Sequence, residues 1–293
     1  MKYAIIHKNR VKPLGVKILC RVLAVSRSGF YEWLRRQEHP NPESPENKQL
    51  ESNVIRVHFE SRKIYGYRKV HKKLEGEGVQ ISDKKVYRLM AKNGLQAKTK
   101  KAFRPKTTNS NHKNLVSPRI FQIETTEVTK PNQIWAGDIT YIATKEGWLY
   151  LSIFLDLFSR IVVGWAIQDH LRTELVRESF IMALRNREVG PGLMIHSDRG
   201  VQYTAGDFRC LINSLKFIQS MSRKGNCYDN AFVESFFSQM KKELSQKIFD
   251  SKKEATQAII DFIESWYNTE RIHSSLGYVS PKDFEANYEA LAS

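Results

Sequence analysis

Three acidic residues, Asp138, Asp198 and Glu234, stand in sequence contexts that favour chemistry over simple surface solvation. Asp138 lies in the middle of a strand pattern, Asp198 follows a short apolar strand, and Glu234 falls early in a helical pattern. Carboxylates without an accompanying Cys or His cluster suit hard cations such as Mg²⁺, for which Mn²⁺ can substitute. Two such ions can activate a nucleophile and stabilise a leaving oxygen in phosphoryl transfer. These three residues are the candidate catalytic and metal-binding set.

Each of these acids also has an ordinary structural interpretation. Asp138 shares one side of its strand with Ile134 and Ile142, and if that side is buried the carboxylate needs a cation partner. If that side faces solvent, Asp138 needs none. Asp198 precedes Gly200, and Asp is common in turns. A solvated position is the usual fate of a helical glutamate. Spacing alone leaves these alternatives open, whereas the order of strand Asp, strand-end Asp and helix Glu favours a shared site.

Several residues near the acids are weaker candidates. Lys241 lies on the same predicted helix face as Glu234 and Ser238, which directs a carboxylate and an ammonium toward one groove. His196 precedes Asp198 by two positions and is either a proton-handling group or a buried structural histidine. Contact with DNA and a plain surface role are equally open for Arg199, Arg223, Lys224 and Arg271. Packing in the core is favoured over base stacking for Trp148, Trp165 and Trp266.

The segments that must position the acids predict an α/β domain. The predicted strands cover 133–143, 148–156, 160–168, 192–196 and 217–221, with a turn at 157–159. The predicted helices cover 173–187 with Thr173 as cap, 205–215, 229–249 beginning at Asp229 or Asn230, and 255–267. Three antiparallel strands followed by alternating helix and strand predict a mixed sheet with helices on both faces.

The basic charge is confined to the first two-fifths of the chain. The 293 residues carry a net charge of +16, but residues 1–118 alone carry +18 and residues 119–293 carry −2. This segregation favours a nucleic-acid-binding arm joined to a near-neutral globular domain, although a solvated basic surface is the alternative. Three cysteines without a CxxC pair argue for a reducing compartment and against a cysteine-based zinc site. The composition excludes a disordered chain, and no secretory signal or membrane helix is recognisable.

The basic arm is predicted to be helical. One helix is predicted over 15–24. A second is capped by Ser26 or Ser28 and runs to about Gln37, and together the two outline a helix-turn-helix. After a proline-rich link, further helices are predicted over 48–61, 67–77 and 83–93, the last capped by Ser82. That last helix carries Lys84, Lys85 and Arg88 on its polar side, as a helix that binds DNA in the major groove requires. A solvated face on a small helical bundle is the alternative.

The motifs around the acids resemble the integrase core of DDE transposases. They are residues 135–141 (WAGDITY), 196–203 (HSDRGVQY) and 225–236 (GNCYDNAFVESF), together with a tail motif at 266–277 (WYNTERIHSSLG) and Pro281. An N-terminal motif at 65–68 (YGYR), with Leu89 and Met90, fits the same pattern. Taken together, the motifs resemble the catalytic OrfB protein of the bacterial insertion-sequence-three family.

This resemblance implies a ribonuclease H-like integrase core preceded by an all-α, helix-turn-helix-like arm. It implies a DDE triad of Asp138, Asp198 and Glu234 with two divalent ions, and a DNA contact by Lys241. The implied activity is metal-dependent nicking of element ends and strand transfer, without a zinc module. The implied partners are DNA, further copies of the chain in a synaptic complex, and an upstream protein or frameshift fusion, in the bacterial cytoplasm. The expected domains are a helix-turn-helix-like segment 1–45, a second helical DNA-binding domain 46–95, a basic linker 96–118, and a core with helical tail 119–293.

Two other functions remain open at this point. A metal-dependent DNA nuclease on the same fold would cleave without joining. A non-catalytic helix-turn-helix regulator would use only the basic arm, and replacing the three acids would then change nothing measurable. The near-neutral second half, with acids at strand ends, favours the transposase over the regulator.

Overall fold

The computed structural model describes residues 2–9, 15–38, 44–98, 115–122, 125–223, 230–244 and 248–292. The chain divides into two compact units, Met1–Asn53 and Val54–Ser293. Most of the predicted linker 96–118 and the basic residue Lys224 lie outside the described residues. No helix in the described ranges combines the length and apolarity needed to cross a membrane.

The first unit is built from short helices around a small apolar core. Its helices are α1 (Lys2–Asn9), α2 (Val16–Val22), α3 (Arg27–Glu38) and the beginning of α4 (Pro45–Glu60). Ile6, Cys20 and Phe30 form the buried centre. Ser26 is the cap of α3, because its Oγ accepts the N–H of Gly29 at 2.9 Å. Helix α1 was not predicted, since a helix this short depends on tertiary packing rather than on its own pattern.

The second unit begins with a helical domain, defined here as residues 54–98. It contains the end of α4, α5 (Tyr67–Gly76) and α6 (Asp83–Lys92), close to the predicted bounds. The Oγ of Ser82 accepts the N–H of Lys85 at 3.3 Å, which confirms the predicted cap. Gly78 and Gly94 follow α5 and α6 with φ of +81° and +64°, a conformation that glycine adopts without strain and that ends each helix. The apolar centre of the domain is Val54, Val57, Val70, Leu74, Val86 and Met90.

A five-stranded mixed sheet follows, in the order β3-β2-β1-β4-β5. Its strands are β1 (Ile134–Thr144), β2 (Gly147–Asp156), β3 (Val162–Gln168), β4 (Met194–Ser197) and β5 (Ile218–Met221). β1, β2 and β3 are antiparallel neighbours, whereas β4 runs parallel to both β1 and β5. The five predicted strands and the β2–β3 hairpin are confirmed.

Helices cover both faces of the sheet. One face packs against α7 (Thr173–Asn186), α8 (Val201–Thr204) and α9 (Gly206–Ser214), through a cluster that includes Trp135 and Phe180. The other face packs against α10 (Ala231–Glu243) and α11 (Lys252–Ile260), through a cluster that includes Ile134, Val233 and Met240. The apolar cluster on this second face also contains the helical domain's core and the tail that follows α11.

Some element boundaries differ from those predicted. Thr173 is the first residue of α7 and not its cap, a position that Arg172 occupies without a side-chain bond. Helix α10 ends at Glu243 rather than near 249, because Phe249 leaves the helix and its N–H bonds the Ala143 carbonyl at 3.0 Å. The tail passes from α11 into a π-helical segment over Asp261–Tyr267, and a further helix, α12, follows at Pro281–Ala292.

Candidate active site

Strand pairing brings the two aspartates to one point of the sheet. β1 and β4 are parallel neighbours, and Gly137 of β1 is in register with Ser197 of β4. Asp138 is the next residue of β1 and Asp198 is the residue after Ser197, so the two aspartates follow paired positions on neighbouring strands. Asp198 comes directly after the last residue of β4. This is the carboxyl end of a strand in an open α/β sheet, where sites characteristically form.

The glutamate reaches the same place from the start of α10. Asn230 precedes the helix, and its side-chain Nδ2 donates to the Gly137 carbonyl at 3.4 Å, one residue before Asp138. Glu234 lies in the first turn of α10 and is half-buried. Val233 and Phe237, on the predicted core stripe, are buried. Glu234 therefore lies on the helix face next to that stripe, not on the stripe itself.

The electrostatics of Asp138 show that the three carboxylates influence one another. Burial raises the pKa of Asp138 well above its usual range, and the negative charges of Asp198 and Glu234 raise it further. The N–H of Ile139, which donates to the Asp138 carboxylate at 2.7 Å, and the ammonium of Lys241 act in the opposite direction. Like charges held together in a half-buried site are typical of functional positions rather than of stabilising ones.

Lys241 lies beside this acidic group. Its ammonium stands 4.8 Å from the centre of the Tyr141 ring, on the continuation of β1 beyond Asp138. Burial lowers the pKa of Lys241, and the charge of Asp138 partly offsets that effect. Glu234, Ser238 and Lys241 are all half-buried along α10, as the predicted shared face requires.

Backbone geometry orients the aspartates. The N–H of Gly200 donates to the Asp198 carboxylate at 2.8 Å, which fixes the turn after β4. Gly137 lies so close to the Phe154 ring that an added Cβ would meet it at 2.7 Å. A larger residue there would displace the strand segment that carries Asp138.

Two further residues of this site, Tyr203 and Asn230, were not predicted as part of its chemistry, although both fall inside the motifs at 196–203 and 225–236. The Tyr203 ring is buried against Phe154 and Phe208. Its pKa is raised well above the usual range, first by burial and then by the charges of Asp138 and Asp198, so its hydroxyl remains protonated beside them. Without a known fold, nothing in the sequence distinguishes Tyr203 from an ordinary core tyrosine.

The donor set fits a hard divalent cation in chemistry but is not a closed ligand cage. Three carboxylates supply only oxygen donors, which Mg²⁺ and Mn²⁺ prefer. Within the described ranges, no three His, Cys, Asp or Glu side chains are grouped closely enough to hold a metal ion. The mutual repulsion acting on Asp138 is the condition that a bound cation relieves.

The weaker candidates divide among several environments. His196 is fully buried, with Nδ1 3.1 Å from the Ser220 hydroxyl and its ring against Phe121, which supports the structural alternative. Arg199 is half-buried and donates to the Ser222 carbonyl at 2.8 Å, whereas Arg223 is exposed.

For Arg271 both earlier alternatives are wrong. It is neither a surface cation nor accessible to DNA, because it is buried and paired with Glu243. Sequence alone could not reveal a partner that lies 28 positions away on another helix.

The prediction for the tryptophans is confirmed for one residue and wrong for another. Trp266 is buried, Trp165 is half-buried, and Trp148 is 51% exposed with its ring edge-on to Tyr141. Trp148 falls near the β1–β2 turn, and the strand pattern overstated its burial.

The predicted DNA-binding residues of α6 form a separate group from the carboxylates. Lys84 and Arg88 are exposed and Lys85 is half-buried, on the face opposite Val86 and Met90. A role for these three cations and Lys241 in binding DNA stays a prediction.

Comparison with known proteins places these features in a family. Residues 128–227 and 216–281 match models described as integrase core domains, and residues 45–103 match an HTH-like domain. A protein of insertion element IS600 from Shigella sonnei is 40% identical over 94% of this chain and all of its own length. Transposases of IS904 from Lactococcus lactis and of IS3A (InsF) from Escherichia coli are 40% and 36% identical, over 84% and 97% of this chain and 97% and 98% of their own. The solved catalytic core of HTLV-2 integrase in complex with magnesium has a TM-score of 0.41 at 17% identity, covering 53% of this chain and 97% of its own.

The match defines an integrase-core protein with an HTH-like domain, and the predicted α/β fold class with an all-α arm is confirmed. The chain belongs to the family of IS3-type insertion-sequence transposases. The expected class of enzyme, a DNA transposase, is confirmed by the same matches.

Proposed function

We propose that this chain nicks the ends of an insertion sequence and joins the resulting 3′-OH ends to target DNA, with Asp138, Asp198 and Glu234 as catalytic residues. These carboxylates would hold two divalent ions, Mg²⁺ or Mn²⁺. When bound, such ions supply Lewis-acid activation of the attacking oxygen and stabilisation of the leaving oxygen.

A single observation carries this proposal: Gly137 of β1 pairs with Ser197 of β4, one residue before each aspartate, and Asn230 at the start of the Glu234 helix donates to the Gly137 carbonyl. In keeping with this, the charges of Asp198 and Glu234 raise the pKa of Asp138. Three acids that are far apart in sequence act on one point, although their charges oppose the approach. A fold that tolerates such repulsion gains no stability from it, and function is the usual reason for retaining it.

The remaining groups of the site have supporting parts in this scheme. The N–H of Gly200 and the N–H of Ile139 orient the carboxylates of Asp198 and Asp138. Lys241 provides a cation beside the acidic group, where it would hold a DNA phosphate close to the reacting bond. The Tyr203 hydroxyl stays protonated and is therefore available as a hydrogen-bond donor.

DNA would be held in addition by the helical domain. Lys84 and Arg88 on the exposed face of α6 match the needs of a helix that contacts phosphates along the major groove. Tyr87, which is 59% exposed between them, adds a surface for sugar or base contact.

We further propose that copies of the chain assemble in a synaptic complex, and that an upstream protein or fusion contributes to end recognition.

The test is strand transfer by the purified full chain on oligonucleotides copied from the DNA that flanks its gene. Labelled nicked and joined products are resolved on a denaturing gel in Mg²⁺, in Mn²⁺, and with a chelator. We expect joined products from the wild type in either metal. We expect none after chelation or from Asp198→Asn.

Asp207→Asn is the matched control, because Asp207 is an exposed aspartate at the start of α9. It should behave as the wild type. Nicks without joined products would favour the nuclease alternative. Equal products from wild type and Asp198→Asn would contradict the assignment of the site. If neither the chain nor its fusion to the upstream protein acts on these ends, the catalytic proposal fails.

A further inference from the structure

Two motifs that the catalytic assignment leaves unused meet in the structure. One is the YGYR motif at the start of α5, and the other is the tail motif at 266–277, which begins in the last residues of the π-helical segment. The Tyr65 ring packs against Trp266 with ring centres 5.9 Å apart, and the N–H of Ile272 donates to the Tyr65 hydroxyl at 2.8 Å. The helical domain therefore contacts the catalytic core at the tail.

Lys69 binds the backbone of Ile272 as well. It follows Tyr65 by one helical turn, and its ammonium donates to the Ile272 carbonyl at 2.7 Å while lying 5.1 Å from the Tyr65 ring centre. Both backbone polar groups of Ile272 are thus bound by side chains of the helical domain. Arg62 adds a contact at the rim, 2.8 Å from the Asp261 carboxylate.

From the tail, the contact continues into α10. The buried Arg271 Nε donates to one carboxylate oxygen of Glu243 at 2.8 Å, and the Trp266 indole N–H donates to the other at 2.8 Å. Arg271 also donates to His273 Nε2 at 3.3 Å. Burial, with the nearby positive charge of Arg271, lowers the pKa of His273 to about 2, so its ring remains a neutral acceptor.

The two ends of this connection are the two proposed functional surfaces. Glu243 is the last residue of α10, the helix that carries Glu234 and Lys241. On the other side, Val70 and Leu74 of α5 pack in one core with Val86 and Met90 of α6, and His71 Nε2 lies 2.8 Å from the Ile81 carbonyl. A continuous packed path therefore joins the DNA-binding face of α6 to the catalytic helix.

We propose that the domain joint, meaning Tyr65, Lys69, Glu243, Arg271 and the Ile272 backbone, holds α6 at a fixed position relative to the carboxylates. Its side chains are then positioning residues, which set where along bound DNA the strand is cut. This inference rests on the proposed function, because it assumes that the DNA bound by α6 is the DNA processed at Asp138, Asp198 and Glu234.

The variants that open the joint are Lys69→Met, Tyr65→Phe and their combination in the full chain. Lys69→Met keeps an unbranched side chain as long as the lysine stem and removes the ammonium donor, and Tyr65→Phe removes only the hydroxyl. The matched controls are Lys72→Met and Tyr67→Phe on the same helix. Lys72 is exposed and pairs with Glu75, and the Tyr67 hydroxyl accepts a surface bond from Arg68.

The first measurement needs no DNA. Spin labels are placed at Ala91→Cys in α6 and Asp207→Cys in α9, both exposed, in a chain whose native cysteines are replaced. The proposal predicts a narrow distance distribution in the wild type and in the controls, and a broad one in the double variant. Thermal unfolding is recorded for each, and if the double variant does not fold, the single Tyr65→Phe chain replaces it. A distribution that stays narrow in a folded joint variant overturns the proposal.

The second measurement maps nick positions on the element-end DNA at nucleotide resolution. We expect one nick position from the wild type, and from the joint variants a spread over neighbouring nucleotides with a rate lower by about tenfold. The affinity for end DNA should change little, since Lys84 and Arg88 are untouched. A role limited to stability would lower the amount of active protein without moving the nick.

The two measurements separate this inference from the proposed function. A broad distance distribution with a single nick position at the wild-type rate would overturn the positioning role alone. Absence of products from the wild type would count against the proposed function. In that case the distance distributions would still decide whether the joint fixes α6.

Discussion

Helix α10 carries one glutamate at each end, and the two have opposite electrostatic surroundings. Glu234, in the first turn, adds negative charge to a group in which Asp138 already has a raised pKa. Glu243, the last residue, is buried with both oxygens hydrogen-bonded, one of them to the guanidinium of Arg271. The same helix therefore serves an acidic cluster with mutual repulsion at one end and a compensated ion pair at the other.

This difference separates what the fold maintains for chemistry from what it maintains for shape. A buried ion pair with its hydrogen bonds completed costs little once formed, but breaking it leaves one uncompensated charge. A group of like charges gains from losing a member, because the repulsion falls. Removing a charge should therefore have opposite effects on stability at the two ends of α10.

The largest expected effect is on catalysis at the Glu234 end. We expect Asp138→Asn to reduce strand transfer by at least about 10³-fold, because the variant loses one of the three carboxylates proposed to hold the divalent ions. The free energy of unfolding should stay the same or rise, since repulsion with Asp198 and Glu234 is removed. Gel assays of strand transfer and urea unfolding of the same protein preparation measure both quantities. A loss of activity that only follows a loss of folded protein would contradict the comparison.

The next largest effect is on stability at the Glu243 end. Arg271→Met should lower the free energy of unfolding by about 3–5 kcal/mol, because the Glu243 carboxylate is then buried without its cation. Urea unfolding followed by circular dichroism measures the change. The double variant Arg271→Met with Glu243→Leu should recover much of the loss, whereas the surface variant Lys72→Met should stay within about 0.5 kcal/mol of wild type. If Arg271→Met is as stable as the wild type, the pair does not hold the tail.

The acidic end was the more predictable of the two from sequence. Asp138 interrupts an apolar strand pattern and Asp198 directly follows another, and parallel strands bring such positions to one end of a sheet. The order of helices and strands along the chain and the Ser82 cap follow from local periodicity and capping rules. These features depend on neighbours in sequence, so their signals are local.

The joint was not predictable in the same way. Arg271 and Glu243 lie 28 positions apart, and Lys69 and Ile272 lie 203 apart, so no local pattern connects them. A cation in a sequence is exposed far more often than buried, and that general tendency gave the wrong interpretation of Arg271. The exposure of Trp148 was missed for a related reason, because strand alternation does not tell whether a layer covers the sheet there.

A smaller effect is expected at Lys241, which lies between the two ends of α10. Lys241→Gln should weaken the binding of end DNA by about tenfold and reduce the salt dependence of binding by about one phosphate contact. The rate at saturating DNA should fall less than the affinity does. Titrations at several salt concentrations measure the affinity and its salt dependence, and assays at saturating DNA measure the rate. Exposed Lys253→Gln is the matched control. An unchanged salt dependence would remove Lys241 from the proposed DNA path.

The smallest effect is a pH dependence that arises at the joint. Burial, with the charge of Arg271, lowers the pKa of Lys69 to about 7 in the folded chain, from an ordinary value of 10.5. Between these values the unfolded chain binds a proton that the folded chain does not, so stability should rise as pH increases from 7 to 9. His273 and Tyr65, with pKa values of about 2 and about 12, do not titrate in the folded chain over this range, and the charges of Glu243 and Arg271 stay paired.

Urea unfolding at pH 7, 8 and 9 measures this dependence, with Lys69→Met as the test and Lys72→Met as the control. The wild type and the control should gain more stability between pH 7 and 9 than Lys69→Met does. The difference in slope against pH should correspond to less than one bound proton per molecule. Equal slopes in all three chains would mean that Lys69 keeps its ordinary protonation in the folded state. The Lys69 amine would then not be buried between the helical domain and the tail. The contrast with the acidic end of α10 would rest on the Glu243–Arg271 ion pair alone.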